Sequence, residues 1–297
     1  MTFRRIAVVD NLNLSPSHRG QVQKFSAAPV VFPEDDPASD RETVGRIADA
    51  DAILVSWRTP LTAGVLTACP ALRYIGVCAT STACIDSAEA ARRGIAMTNV
   101  EDYGDAATAE FIFLQLLALV RGAGPHAWRA EPCELNGKTI GIIGLGAVGQ
   151  KVARLARGFD MRASYFSRTR KPDWEARGLR YVPLDELLAG SEIITLHTPR
   201  GLRILDAPAF ERMRPGVILV DTAVGNVLDE EAFRHWIAGR GNFAIFDYAT
   251  GEEYYARFRD LPNVIFPKAI AGLTRESQER LGEKALANLA RVVASSP

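Results

Sequence analysis

Residues 138–171 read KTIGIIGLGAVGQKVARLARGFDMRASYFSRTRK and decide the fold. The apolar run 139–143 leads directly into Gly-x-Gly-x-x-Gly at residues 144–149, a helical pattern follows, and a second apolar run occupies 163–166. This order is typical of a strand, a helix and a second strand that bind a dinucleotide. The glycines allow a tight turn, bring backbone N–H groups to the pyrophosphate and let the helix pack closely on the strand. The cofactor contacts predicted in this loop are Gly144, Gly146, Ala147, Val148 and Gly149.

The end of the second strand indicates which dinucleotide binds. In NAD-binding proteins an acidic residue at this position accepts hydrogen bonds from the ribose 2′-OH. Ser167 stands there instead, followed by Arg168, Thr169 and Arg170, so cations that suit a 2′-phosphate replace a carboxylate. The sequence therefore favours NADP(H) over NAD(H) and predicts that these four residues contact it. The alternative is a nucleotide-free domain of the same fold with a solvated basic turn.

The composition carries no signature of a nucleic-acid or membrane partner. The 297 residues fit two domains, and Lys+Arg and Asp+Glu balance at 35 each, so no basic excess points to nucleic acid or anionic lipid. The longest apolar segment, 111–120, is too short to span a bilayer, and no signal peptide precedes the first apolar run at 6–9. The cysteines show no metal-ligand spacing, so we expect reduced thiols in a cytoplasmic protein without a metal site.

Strand-like and helix-like patterns alternate along most of the chain. Before residue 100 they predict a parallel sheet with helices on both faces. A long helix over 106–120 then leads to a second series of strands and helices, which starts at residue 139. An amphipathic helix over 275–293 closes the chain. The predicted class is α/β, with two doubly wound Rossmann-like units, the second inserted into the first.

With these landmarks in place, the chain resembles the D-2-hydroxyacid dehydrogenases, and the similarity runs nearly end to end. The resemblance implies a flavodoxin-like substrate-binding domain from residues 1–100 and 273–297. It implies an inserted Rossmann domain for the dinucleotide over 101–272, with catalysis in the cleft between the two. The segments that carry the similarity are residues 72–75, 85–86, 94–95, 109–110, 137–146, 196–199, 213–216, 228–232 and 261–265.

The resemblance also implies cofactor contacts and an assembly. Members of the family dimerise through their cofactor domains, partly by an arm that here is limited to residues 122–136, so a homodimer with a reduced interface is expected. His197 follows a strand of the cofactor domain and is expected to form part of the cofactor wall rather than to act as a general acid. The further contacts expected downstream of the glycine loop are His197, Thr198, Pro199, Thr222, Ala223 and Asp247.

The chain departs from the family at two of its three catalytic positions. The arginine that polarises the substrate carbonyl belongs to an Asn-x-x-Arg-Gly motif, and Val224 occupies its place. The catalytic histidine is replaced by Ala269 if the segment is counted back from residues 271–272, and by Lys268 if it is aligned on the proline. Glu252, five residues after Asp247, matches the family's glutamate. The alternative for Glu252 is a solvated loop charge.

Other polar residues offer replacements for the missing groups. Arg58 follows a strand end where the family often has a substrate-binding arginine, and Lys268 would be a proton donor if burial lowered its pKa. Either could instead be an ordinary surface cation. The loop over 78–84 is rich in hydroxyls, which either bind substrate or cap the following helix. The residues predicted to contact substrate are Thr80, Ser81, Thr82 and Tyr103.

Two functions follow from this pattern. The first is an NADP(H)-dependent oxidoreductase that acts on a larger carbonyl, an imine or an activated alkene of specialised metabolism, in place of a simple 2-hydroxy acid. The second is a catalytically degenerate homologue that binds NADP(H) and acts as a sensor or interaction module. A third, weaker hypothesis is a non-redox reaction in a protein that keeps the nucleotide for structure.

Overall fold

The computed structural model describes residues 2–199, 201–239, 241–247, 254–267 and 269–295. The chain forms two compact units, one made of Met1–Tyr103 with Thr274–Pro297 and the other of Gly104–Leu273. Both are built from parallel strands and helices, which confirms the predicted α/β class. Glu252 and Lys268 lie outside the described residues.

The first unit contains a four-stranded parallel sheet in the order β1-β2-β3-β4. Between residues 11 and 39 the chain forms a short helix and a 3-10 turn at Gln23–Phe25. The strands are β1 (Ile6–Val8), β2 (Ala52–Val55), β3 (Tyr74–Val77) and β4 (Ala96–Thr98). The helices are α1 (Pro16–Val22), α2 (Asp40–Ile47), α3 (Ala63–Ala68) and α4 (Ser87–Arg92), joined by the C-terminal helix Arg275–Ser295.

Both faces of this sheet are covered. Ile53 and Leu54 are adjacent in β2 and point to opposite faces, yet both are buried, each in a separate hydrophobic cluster. The C-terminal helix contributes Leu281, Ala285 and Leu289 to the second cluster. These residues recur every four positions, which places them on one face of the helix. A parallel sheet buried on both sides explains why its strands are continuous apolar runs.

The second unit contains a seven-stranded parallel sheet in the order β11-β10-β9-β8-β5-β6-β7. The short helices Pro172–Glu175 and Ala207–Arg212 were not predicted, because four to six residues give too little periodicity to detect. The strands are β5 (Thr139–Ile143), β6 (Arg162–Phe166), β7 (Arg180–Tyr181), β8 (Ile193–Leu196), β9 (Ile218–Asp221), β10 (Phe243–Phe246) and β11 (Val264–Ile265). The helices are α5 (Asp105–Arg121), α6 (Ala147–Gly158), α7 (Pro172–Glu175), α8 (Leu184–Gly190), α9 (Ala207–Arg212) and α10 (Glu230–Ile237).

The strand order has a switch point between β5 and β8. From β5 the chain proceeds outward through β6 and β7, and it then returns to continue on the other side with β8, β9 and β10. The strand ends are aligned there, since Ile143 pairs with both Phe166 and Leu196, and Leu196 pairs with Asp221. In open sheets of this kind, ligands bind outside the carboxyl ends of the strands at the switch point.

Helix α5 is buried along most of its length and packs with α6 on one face of the sheet. It ends at Gly122, whose positive φ of 61° supplies the left-handed C-cap that favours glycine. Its N-cap is Gly104, and Asp105 is its first residue. No helix within the described ranges is both long and apolar enough to cross a membrane.

Candidate dinucleotide site

The glycine loop lies between β5 and α6 at the switch point. Gly144 has φ = +95°, a conformation that residues with a side chain rarely adopt. A Cβ atom at Gly144 would lie 2.4 Å from the backbone oxygen of His197, which follows the neighbouring strand β8. The turn therefore requires glycine for two reasons, backbone conformation and lack of space.

The other two glycines of the loop differ in what surrounds them. A Cβ at Gly149 would lie 2.1 Å from the backbone oxygen of Gly144, so this glycine lets α6 pack directly on the loop. A Cβ at Gly146 would meet nothing within 4 Å, so the backbone is open there. Gly146 is the N-cap of α6, and the first turn of α6 carries no acidic side chain. Free N–H groups and the positive end of the helix dipole make this opening suitable for a pyrophosphate.

The basic turn after β6 contains two arginines with different surroundings. Arg168 is exposed and makes no hydrogen bond or ion pair with any described residue. Arg170 is paired with Glu175 of α7 through its Nε, 3.1 Å from Oε1, and through a second, shorter contact. Its guanidinium also lies 4.9 Å from the ring centre of Tyr181. Of the two arginines, Arg168 is therefore the one without a described partner, and Arg170 is held by its own neighbours.

Glu175 connects the basic turn to the sheet. Its Oε1 accepts a hydrogen bond from the hydroxyl of Tyr165 in β6 at 2.8 Å, and the same hydroxyl accepts from the Lys171 amide at 2.7 Å. The hydrogen bond from Arg170, followed by that from Tyr165, lowers the pKa of the Glu175 carboxyl. Sequence reasoning missed this network, since the only signal was a carboxylate five residues after Arg170.

His197 follows β8 and lies behind Gly144. Its amide donates to the Ile143 carbonyl at 2.8 Å, and its Nδ1 lies 3.4 Å from the Thr222 hydroxyl oxygen. Its Nε2 is enclosed and has no hydrogen-bond partner among the described residues. Burial lowers the pKa of the imidazole to about 3, so the ring is neutral at pH 7 and holds no proton for general acid catalysis. A role of His197 in the cofactor wall stays a prediction.

Two aspartates occupy the ends of the next two strands. Asp221 ends β9 and accepts a hydrogen bond from the Ala223 amide at 2.9 Å. Asp247 follows β10 and accepts one from the Ala271 amide at 2.9 Å. Val224, in place of the expected arginine, is half-buried and adds neither charge nor a donor. The end of β9 thus carries a buried carboxyl and lacks a side-chain cation.

In the first unit, Arg58 is held by contacts within its own surroundings. Its Nε lies 2.6 Å from Asp36 Oδ2, and its terminal nitrogen lies 3.0 Å from Asp36 Oδ1 and 2.6 Å from the Asn11 carbonyl oxygen. The hydrogen bond from Arg58 lowers the pKa of the Asp36 carboxyl. These contacts favour the structural alternative for Arg58 over the proposed role in catalysis.

The hydroxyl-rich loop of the first unit uses several of its groups locally. Thr80 donates to the Val100 carbonyl at 3.3 Å, and the Ser81 hydroxyl accepts from the Ala83 amide at 3.2 Å. The Thr82 carbonyl accepts from the Ile85 amide at 2.9 Å, just before α4 begins. Tyr103 packs against a hydrophobic cluster of the same unit. None of these hydroxyls caps α4, because its N-cap is Asp86, whose side chain accepts from the Glu89 amide at 2.9 Å. A role of the loop in substrate binding stays a prediction.

The catalytic residues proposed near the end of the chain are only partly covered by the structure. Ala269 is exposed, and its amide donates to the Pro267 carbonyl at 2.8 Å. Glu252 and Lys268 fall in the gaps between the described ranges, so the choice between Ala269 and Lys268 at the histidine position stays open. No group of three or more His, Cys, Asp or Glu residues in the described part of the chain is arranged to hold a metal ion.

The glycine loop at the switch point of a doubly wound parallel sheet defines a dinucleotide-binding protein. The family model "D-isomer specific 2-hydroxyacid dehydrogenase, NAD binding domain" matches residues 120–268. The glyoxylate reductase of Thermococcus gammatolerans is 34% identical over 286 residues, which are 87% of this chain and 84% of that protein. The hydroxypyruvate reductase of Blautia hydrogenotrophica is 30% identical over 281 residues, 86% of each chain. The chain therefore belongs to the D-2-hydroxyacid dehydrogenase family of NAD(P)-dependent oxidoreductases.

Solved structures resemble the whole chain. An acyclic imino acid reductase in complex with NADPH and D-Arg superposes with a TM-score of 0.85 at 26% identity, and covers 98% of both chains. The D-lactate dehydrogenase of Escherichia coli superposes with a TM-score of 0.81 at 22% identity, again over 98% of both chains. The latter likeness concerns the fold alone.

Proposed function

We propose that the protein is an NADP(H)-dependent reductase whose substrate is an imine or another non-standard electrophile in place of a simple 2-keto acid. The observation that carries the cofactor preference is Arg168, an exposed cation without a described partner, next to Ser167 where a carboxylate would exclude a 2′-phosphate. The observation that carries the substrate preference is Val224, which cannot polarise a carbonyl or bind a carboxylate.

A protonated imine suits a site in which Val224 replaces the arginine, because the imine nitrogen itself carries a positive charge. A keto acid needs a cation beside its carbonyl to accept negative charge as hydride arrives. A protonated imine already carries a positive charge on nitrogen, so hydride addition neutralises it and no arginine is required at the reacting carbon. The NADPH-bound imino acid reductase among the similar structures supports this class of substrate.

The residues proposed to hold the cofactor form two groups, one on each side of the switch point in the sheet. The first turn of α6 and the loop amides bind the pyrophosphate, while Ser167, Arg168 and Thr169 bind the 2′-phosphate. The nicotinamide half belongs to the ends of β8, β9 and β10, and its contacts come from His197, Thr198, Pro199, Thr222, Ala223 and Asp247. The bound cofactor supplies the hydride, and the chain orients it and keeps water away.

The remaining assignments rest on the resemblance. The unit made of Met1–Tyr103 and Thr274–Pro297 is proposed to bind substrate, through residues 80–82 and Tyr103. Glu252 and Lys268 are proposed to manage the proton, with Arg58 the weaker candidate because Asp36 holds it. A homodimer is proposed as the assembly, and a single chain per particle in sedimentation would contradict it.

A substrate panel tests the proposed reaction. NADPH consumption is measured with glyoxylate, hydroxypyruvate and pyruvate, each alone and with excess ammonia or methylamine, which convert part of the keto acid to imine. We expect amine to raise the rate by at least about tenfold, since loss of one preorganised charge costs carbonyl reduction about a hundredfold.

Two results would contradict this proposal. Efficient glyoxylate reduction without amine would mean that the missing arginine and histidine are not needed. Tight NADPH binding without hydride transfer to any substrate would favour the binding-module hypothesis. Parallel assays with NADH as the sole hydride donor test the cofactor preference separately from the substrate preference.

A further inference from the structure

Asp221 is a buried carboxyl on the nicotinamide side of the sheet. It ends β9, and the Asp247 amide at the end of β10 donates to its backbone oxygen at 3.1 Å, so the two aspartates lie on adjacent strand ends. Both residues are buried, Asp221 completely. In this strand order the second half of the sheet, β8 to β10, holds the second mononucleotide. Asp221 also occupies the asparagine position of the family's Asn-x-x-Arg-Gly motif, where an amide has no proton to lose.

The surroundings of Asp221 favour a neutral carboxylic acid. Its Oδ1 accepts from the Ala223 amide, but its Oδ2 is enclosed and has no hydrogen-bond partner in the described ranges. None of the described lysines or arginines forms an ion pair with it. Burial raises the pKa of Asp221 well above its ordinary value; the Ala223 hydrogen bond opposes this, and the negative charge of Asp247 adds to it.

Two other described titratable groups lie near these strand ends, and neither brings a positive charge to Asp221. His197, after β8, is neutral because burial lowers its pKa to about 3. Tyr254 packs on Phe246 of β10. Its hydroxyl donates to Asn226 Oδ1 and accepts from the Val227 amide. A buried carboxyl with a second carboxyl beside it and no described cation gains stability by keeping its proton.

We propose that Asp221 distinguishes the two redox states of the cofactor by losing its proton when the oxidised, positively charged nicotinamide binds and keeping it when the reduced, neutral ring binds. The positive ring supplies a cation near Asp221, which pairs with no described lysine or arginine, so the ionised carboxylate becomes favourable only in that complex. The reduced ring brings no charge and leaves the acid neutral. The inference rests on the proposed function only in requiring that a nicotinamide dinucleotide binds at this sheet.

The proton balance of the proposal is simple. Binding of oxidised cofactor to the free protein releases one proton from Asp221 to solvent. When bound NADPH gives its hydride to the protonated imine of the proposed reaction, the imine becomes a neutral amine, the ring becomes positive, and Asp221 releases one proton to solvent. Asp221 therefore changes the affinity for the two redox states of the cofactor through its charge, and it does not contact the transferred hydride.

The test is the pH dependence of cofactor binding to the full chain. Dissociation constants of NADP⁺ and NADPH are measured from about pH 5 to about pH 9, and calorimetry in buffers of different ionisation enthalpy counts the protons released. Affinity for NADP⁺ should rise with pH by up to about tenfold per pH unit, because binding that releases one proton is favoured as protons become scarce. Affinity for NADPH should not follow this slope.

Asp221→Asn removes the proton and restores the amide of the family motif. We expect this variant to lose both the pH slope and the proton release for NADP⁺, while its NADPH affinity stays within about threefold of the original. Asp260→Asn, which changes an exposed carboxylate of the same unit, is the matched control and should keep both. Thermal unfolding of each variant shows whether it is folded.

The outcomes separate this inference from the proposed function. Proton release that persists in folded Asp221→Asn would overturn the inference. NADP⁺ binding without proton release in the unmodified protein would overturn it too, and this measurement does not depend on the folding of the variant. The same slope with NAD⁺ in place of NADP⁺ would support the role of Asp221, whereas tighter binding of NAD⁺ than of NADP⁺ would contradict the cofactor preference. Failure of every dinucleotide to bind would overturn both.

Discussion

Gly149→Ala is expected to lower the free energy of unfolding by about 3 kcal/mol and to abolish measurable NADPH binding. The added methyl carbon would lie 2.1 Å from the Gly144 backbone oxygen. That atom cannot rotate away like the end of a side chain, because the Gly144 amide is bonded to the Phe166 carbonyl at 2.8 Å. The helix α6 would have to move away from β5, which would displace the N–H groups at its first turn from the pyrophosphate.

Gly146→Ala provides the matched control in the same loop. Its Cβ would meet nothing within 4 Å, and φ = −79° at this position suits any residue. We expect a change of less than about 1 kcal/mol in stability, since glycine and alanine differ little outside regular structure. Its NADPH affinity should still fall, because the methyl group projects into the opening proposed for the phosphates. Urea unfolding and NADPH fluorescence titration measure the two effects separately. Equal stability losses in both variants would contradict the close packing assigned to Gly149.

The sequence predicted the part of the site that depends on local pattern. Two apolar runs around Gly-x-Gly-x-x-Gly were enough to place the strand, the loop and the helix, because the positive φ of Gly144 and the close contact of Gly149 with Gly144 are requirements of the turn itself. The start of α9 also carries a local signal, with Asp206 as N-cap and Pro208 in the first turn, but this signal was not used and the short helix was not predicted.

The parts that were missed depend on contacts between distant segments. Arg170 looked equivalent to Arg168 until Glu175 and Tyr181 were placed beside it. Arg58 looked like a substrate ligand because Asp36, in a loop 22 residues earlier, has no sequence signal of proximity. The burial of Asp221 was likewise not evident, since it depends on the neighbouring strands β8 and β10. Charge pairing and desolvation are tertiary effects, and local patterns do not carry them.

Arg168→Ala is expected to weaken NADPH binding by about 10- to 100-fold while NADH binding changes little. A hydrogen bond to a charged group contributes about 1.5–3 kcal/mol, and the 2′-phosphate is present only in NADPH. The double variant Arg168→Ala with Ser167→Asp should prefer NADH to NADPH. The new carboxylate repels the 2′-phosphate of NADPH and accepts hydrogen bonds from the 2′-OH of NADH. Dissociation constants for both cofactors, measured at fixed salt, give the ratio directly.

Two further arginine variants decide whether this effect is specific. Arg177→Ala removes an exposed arginine that stacks on Trp174, and both dissociation constants should stay within about twofold. Arg170→Ala should have a smaller effect than Arg168→Ala, because the ion pair with Glu175 already occupies the Arg170 guanidinium. A larger loss for Arg170→Ala would mean that the pair opens to bind phosphate and would reverse the assignment. An equal loss of NADH and NADPH affinity in Arg168→Ala would instead place this arginine at the pyrophosphate or adenine, which both cofactors share.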